Sequence, residues 1–435
     1  MKAIHKISLA AVVCALAAVS LFAQVKSVTV IKAGRMIDTI NGRVLTDQVI
    51  IIEGDRIKEV GSGLAIPAGA TVIDLSKMTV LPGLTDAHTH ITTQAGGDYY
   101  EELFRKSFID EAVNAHIYSK RTLEAGFTTV RNVGASAFID VALKRSIDKG
   151  DIVGPRVIPA TMFIGSTGSH GDLNGFSPWL DDKTPPDMSG IADGVDALRK
   201  KVRYLIKYGA EVIKFGASAG VLTEEESVGA PQFSQEEMNA IVDEAKLHGV
   251  KVCAHAHGTE AIKMAIRAGV ASVEHGSLID EEGIRMMKER GTYLDADIYN
   301  DDYILAEYAK FNTPKKIIDK ERSIGRHQRE NFKKAVLAGV KIAFGTDAGV
   351  YPHGWNAKQF AKMVEWGMTP MSAIQASTVN NADLFGWSDR IGSITAGKYA
   401  DIVAVDGDPL QNVGILENIG FVMKGGAIYK NTLAK

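Results

Sequence analysis

Along most of this chain, short apolar runs alternate with longer segments whose apolar positions recur every three or four residues. Runs of the first kind read as buried strands, and segments of the second kind as amphipathic helices packed against them. One stretch shows the pairing. Ser234 and Glu237 carry a capping-box signature, Met238, Ile241, Val242 and Ala245 form a buried stripe, and Gly249 closes the helix. A strand over 250–255 follows at once, and a second helix from about Thr259 to Gly269 leads into 271–275. Strand and helix in regular alternation predict a parallel α/β architecture. Strands are expected near 84–90, 127–133, 156–161, 211–217, 250–257, 271–275, 293–297 and 341–347. Eight such units predict a (β/α)8 TIM barrel, whose chemistry belongs at the C-terminal ends of the strands.

The pattern changes at both ends. Residues 28–32, 49–53, 57–60 and 71–75 are β-rich with tight turns, and 400–405, 421–424 and 427–429 have the same character. They predict a small β-sandwich domain built from 24–80 and 391–435, with the barrel over 81–390. At the very start, Lys2 and Lys6 precede an apolar stretch over 7–23 that ends in the small residue Ala23. This reads as a signal peptide over 1–23, cut before Gln24. The expectation is an exported protein, periplasmic or secreted, with no stable membrane insertion after cleavage. A retained anchor or lipid attachment at Cys14 are the alternatives.

Composition narrows the field. A chain of 435 residues is too long for one small core, and a formal net charge of −3 leaves no basic footprint for nucleic acid. Once the leader is removed Cys253 is the single cysteine, so no intramolecular disulfide is available.

The expected strand ends carry the chemistry. Asp86-Ala87-His88-Thr89-His90 places two imidazoles on one face of the first strand. Lys214 lies in the apolar fourth strand, His255 and His257 end the fifth, His275 the sixth and Asp347 the eighth. Any one of these could be a satisfied structural residue. Five strand ends bearing metal-competent groups point to a metal site. His170, in the glycine-rich loop 165–171 after the third strand, could donate to a scissile carbonyl or a carboxylate. His353, beyond the eighth strand, is a further substrate contact. Arg131 ends the second strand and is expected either to bind a substrate carboxylate or to sit in a buried ion pair. His116, His248 and His327 fall in helical stretches and read as structural or solvated.

With these residues in place, the sequence resembles the amidohydrolase superfamily of metal-dependent hydrolases. The similarity lies in Pro82-Gly83-Leu84-Thr85-Asp86-Ala87-His88-Thr89-His90, in Gly126-Phe127-Thr128-Thr129-Val130-Arg131 and in Gly397-Lys398-Tyr399-Ala400-Asp401-Ile402-Val403. The resemblance implies a binuclear centre of two divalent ions, with zinc the expected metal. His88, His90 and Asp347 would hold one ion, and His255 and His275 the other. A carbamylated Lys214 would bridge both, and an apolar strand favours the neutral amine that captures CO2. Two ions can share a hydroxide at neutral pH and polarise a carbonyl, with Asp347 as general base and then acid. His257 is left for substrate.

Within the superfamily the resemblance is to the prolidase-like branch, which includes Xaa-Pro dipeptidases and ochratoxin-cleaving relatives. It implies cleavage of dipeptides or N-acyl amino acids. Hydrolysis of a cyclic amide or ester, and a non-catalytic binding protein on the same fold, are the alternatives. The expected partners are a small-molecule or dipeptide substrate and, in a homo-oligomer, further copies of the chain.

Overall fold

The structure is a computed structural model that describes residues 28–177, 188–225 and 227–432. The expected leader over 1–23, with Cys14, lies outside the described residues. Among the described residues no helix is long and apolar enough to cross a membrane.

The first four strands are β1 (Val28–Asp38), β2 (Arg43–Glu53), β3 (Arg56–Ser62) and β4 (Thr71–Pro82). The next seven are β5 (Leu84–Thr89), β6 (Phe127–Asn132), β7 (Arg156–Pro159), β8 (Val212–Gly216), β9 (Lys251–Ala256), β10 (Ser272–His275) and β11 (Tyr293–Asp295). The last three are β12 (Ile402–Val405), β13 (Phe421–Lys424) and β14 (Ala427–Asn431).

The two ends of the chain meet in one seven-stranded sheet of order β14-β13-β12-β4-β1-β2-β3. Its strands enclose a separate cluster that includes Ile31, Ile50, Val80, Ile402 and Phe421. β4 pairs parallel with β1 and antiparallel with β12, where Pro82 sits opposite Ile402. It then continues through Gly83 into β5. Gly83 is required there, because a Cβ would fall 2.2 Å from the hydroxyl oxygen of Thr128.

The middle of the chain forms parallel ladders in two groups, β5-β6-β7 and β11-β10-β9-β8, with helices between successive strands. Single bridges connect the groups: Ile164 with Phe215 on one side, and Leu294 with Ile342 and Thr89 with Ala348 on the other. β5, β6 and β8 are buried at every position, as strands covered on both faces must be. The capping box of Ser234 and Glu237 forms as read from the sequence.

The eighth strand differs from expectation. Residues 341–347 run alongside β5 and β11 without forming a ladder. Side chains intercept the backbone: Phe344 N–H donates to Asn381 Oδ1 at 3.0 Å and Thr346 N–H to Asp86 Oδ1 at 3.1 Å.

Candidate active site

The C-terminal ends of the parallel strands open into a cavity of about 1050 Å3. It is lined by His88, His90, His170, Lys214, His255, His257, His275 and Asp347, so the structure brings these eight expected site residues together. His88 and Lys214 are each 1% exposed.

Among the described residues four sets of donor atoms converge, each within 4.8 Å: His88, His90 and Asp347; His255, His257 and His275; His275, Asp297 and Asp347; and His88, Glu274 and Asp295. Asp347 Oδ1 lies 3.4 Å from His88 Nε2 and 3.2 Å from His90 Nε2, and Lys214 Nζ is 3.5 Å from His88 Nε2. His275 and Asp347 both have left-handed backbones, with φ of 69° and 56°. Such a conformation costs a non-glycine residue about 1–3 kcal/mol and is retained where surrounding contacts impose it.

Most of these imidazoles have their far nitrogen held. His275 Nδ1 donates to Asp297 Oδ1 at 2.8 Å, and Asp297 in turn accepts from Gln328 and Asn300. His257 Nδ1 shares a 2.8 Å hydrogen bond with Ser277 Oγ, whereas His88 Nδ1 lies 3.0 Å from Glu274 Oε2 without forming a hydrogen bond. His90 Nδ1 donates to the Gly134 carbonyl at 3.3 Å. Such contacts fix the ring and its tautomer and present the other nitrogen. His255 Nε2 is buried without a hydrogen-bond partner.

The electrostatics follow from crowding. Burial and the neighbouring His170, His275, His257 and Lys214 hold His255 well below the usual histidine range. Burial lowers His88 to about 4. Burial also opposes charge on His275, but Asp297 and Asp347 outweigh it and raise that group. Asp347 is the reverse case: burial favours its neutral form, and His88, His90 and His275 overcome this and hold the carboxylate ionised.

His170 is positioned by a relay. The Thr223 hydroxyl donates to Glu225, so its oxygen accepts from His170 Nδ1 at 2.9 Å. Gly220 makes room for the ring, since a Cβ there would fall 2.3 Å from His170 Cε1. Burial lowers the pKa of His170, which favours neutral imidazole with the proton on Nδ1 and a lone pair on Nε2. The expected donor to a carboxylate is therefore, in this state, an acceptor suited to a substrate N–H.

Two expected substrate contacts are corrected. Arg131 is 2% exposed and does not line the cavity. Its guanidinium donates to Glu274, Asp295 and Ser272 on β10 and β11, so the buried ion pair is the outcome. His353 is 3% exposed, donates from Nε2 to the Thr93 carbonyl at 2.7 Å and packs on Tyr118, behind these cavity-lining residues and not itself lining the cavity. His116 and His327 are exposed on helices, and His248 is exposed at a helix C-cap.

Reading the sequence missed Glu274, Asp297, Asn300, Thr223 and Glu225. For Asp297 a signal existed: Asp295 and Asp297 alternate at a strand end as His88 and His90 do.

Comparison with known proteins agrees with this geometry. The model of the amidohydrolase family matches residues 79–431. An ochratoxinase from Aspergillus niger is 32% identical over 427 residues, covering 93% of this chain and 87% of that protein. The crystal structure of a Xaa-Pro dipeptidase with bound methionine in the active site superposes with a TM-score of 0.89 at 39% identity, covering 93% of this chain and 100% of that one. That of a prolidase complexed with N-methylphosphonate-L-proline gives a TM-score of 0.86 at 30% identity, covering 93% and 100%.

Proposed function

The chain belongs to the amidohydrolase family and hydrolyses amide C–N bonds, and we propose that within this class it is a binuclear metalloenzyme cleaving dipeptides or N-acyl amino acids. The observation that carries the reading is the buried, unpartnered Nε2 of His255 among imidazoles already oriented from behind. An unpaired buried polar atom is costly, and a divalent cation would satisfy it. The imidazole and carboxylate donors suit zinc. His88, His90 and Asp347 would hold one ion and His255 and His275 the other, with a carbamate on Lys214 contributing an oxygen to each. The three single bridges support one closed (β/α)8 ring around this site.

Two bound divalent ions would supply Lewis-acid activation of water and of the scissile carbonyl. The remaining steps fall to the protein. Asp347, held ionised by its histidines, accepts a proton from the attacking water and passes it to the leaving nitrogen. Asn300 donates to Asp347 Oδ2 at 3.2 Å and keeps the carboxylate oriented. His257 faces the substrate carbonyl or carboxylate, and His170 Nε2 accepts from a substrate N–H. The dipeptidase and prolidase neighbours support substrates of Xaa-Pro type.

The test is metal analysis of the purified protein together with hydrolysis of a panel of Xaa-Pro dipeptides, N-acyl amino acids, lactones and cyclic amides. About two divalent ions per chain and turnover of the linear amides are expected. Turnover confined to cyclic substrates, or a metal-free active protein, would overturn the reading.

A further inference from the structure

The helix Lys315–Ala338 turns one face to the cavity. Ile317, Glu321, Ile324 and Gln328 fall on this face at helical spacing, and the last three line the cavity. Gln328 reaches the metal end, donating to Asp297 and to the His275 carbonyl. Glu321 lies seven residues earlier, about 10 Å along the helix axis.

Glu321 is 5% exposed, and among the described residues it makes no hydrogen bond or ion pair. A buried carboxyl without a partner is rare in a folded protein. The apolar part of this wall is formed by Val221, which packs with Ile317 and Ile324, and by Ile304, which packs with Tyr308, whose hydroxyl donates to the Val350 carbonyl. Arg329, on the same helix, is bound to Asp301, Asp302 and the Ile298 carbonyl. The other charges acting on Glu321 are the acidic Asp297, Asp301 and Asp347, so the local field favours a cation.

We propose that this lobe of the cavity is a subsite for a substrate side chain with an apolar stem and a cationic head, an ammonium or guanidinium, with Glu321 as its counter-ion. The distance from the metal end suits a long four-carbon stem, whereas a substrate's own α-ammonium sits beside the scissile carbonyl. The apolar walls take the stem, and the carboxylate takes the head in a charge-assisted contact. This rests on the amide-hydrolase reading above and narrows its substrates to those with a basic side chain.

The experiment compares kcat/KM of the metal-loaded protein on two matched pairs, Lys-Pro against norleucine-Pro and Ala-Lys against Ala-norleucine. Each pair differs in the charged head and keeps the stem, and the two pairs cover both sides of the scissile bond. A preference for lysine of about tenfold or more is expected in one pair, falling to near unity in Glu321→Gln and partly kept in Glu321→Asp. Ratios are used so that a general loss of activity in a variant cancels. Equal rates within both pairs, or a preference that survives Glu321→Gln, would overturn the subsite. Calorimetric binding of free lysine and free norleucine decides the matter if no dipeptide is cleaved. In that case the linear-amide reading fails by itself, and the subsite stands only if lysine binds more tightly and Glu321→Gln abolishes the difference.

Discussion

The backbone N–H of Asp347 donates to the carbonyl oxygen of His88 at 2.7 Å. Main chain, not side chain, thus fixes the spacing between the first and last strand ends of the site. Asp86 reinforces the junction, accepting from the Thr346 hydroxyl and from Asn356 Nδ2. The donor atoms of His88, His90 and Asp347 are thus tied together through the backbone of the segments that bear them.

Lys214→Ala removes the group proposed to contribute to both ions. The purified variant is expected to lose at least one divalent ion per chain, measured by elemental analysis. Full occupancy of two ions with unchanged activity would reject the bridging role.

Asp347→Asn keeps an oxygen donor and removes the proton acceptor. A modest fall in metal content and a drop in kcat of roughly a thousandfold or more are expected in steady-state assays. A variant retaining a tenth of the original kcat would exclude Asp347 as acid–base.

Arg131→Met tests the buried ion pair with Glu274 and Asp295. It leaves Glu274 and Asp295 buried without their cation, which costs about 3–5 kcal/mol. Thermal unfolding of the variant should therefore fall by several degrees. A raised KM with an unchanged Tm would instead restore Arg131 to substrate binding.

The substrate carboxylate is predicted to matter through His257. Amidating the C-terminus of a good dipeptide substrate should lower kcat/KM by about tenfold to a hundredfold. His257→Ala should weaken the free acid more than the amide. Equal rates on the two substrates would move cyclic amides or esters to first place.

Glu321 sets a pH dependence of stability. Burial, with Asp301, Asp297 and Asp347 opposing its charge and Arg329 favouring it, raises its pKa from 4.5 to about 8. The folded state therefore binds this proton more tightly than the unfolded chain does. The contribution is full below the unfolded value and is lost as pH rises through the folded one. In metal-stripped protein, the Tm of the wild type should decline relative to Glu321→Gln between about pH 5 and 9, as this linkage requires. Parallel curves would show that Glu321 does not carry the raised pKa.

Much of this was legible in the sequence, for physical reasons. Strand period placed His88 with His90, and apolar runs ending in polar residues located Lys214, His255, His275 and Asp347. What stayed hidden depends on partners far along the chain. Arg131 finds its carboxylates on β10 and β11, His353 turns toward Thr93, and Glu321 has meaning only beside the cavity wall it shares with Ile304 and Tyr308. The eighth segment stops short of a ladder because Asn381 and Asp86 take the amides of Phe344 and Thr346, while those of Ala343 and Asp347 still donate to the carbonyls of Leu294 and His88 on the neighbouring strands.

The pairing of Pro82 with Ile402 has a consequence for how the chain is made. The last residues of β4, which lead straight into the strand bearing His88 and His90, have no partner along that edge until β12 leaves the ribosome. Contacts so distant in sequence form late, and an open strand edge is open to pairing with other chains. A nascent chain truncated before residue 402 should accordingly aggregate. The sheet that joins the two segments cannot close until β12 has been made, which leaves that edge of β4 unpaired while everything between them is translated.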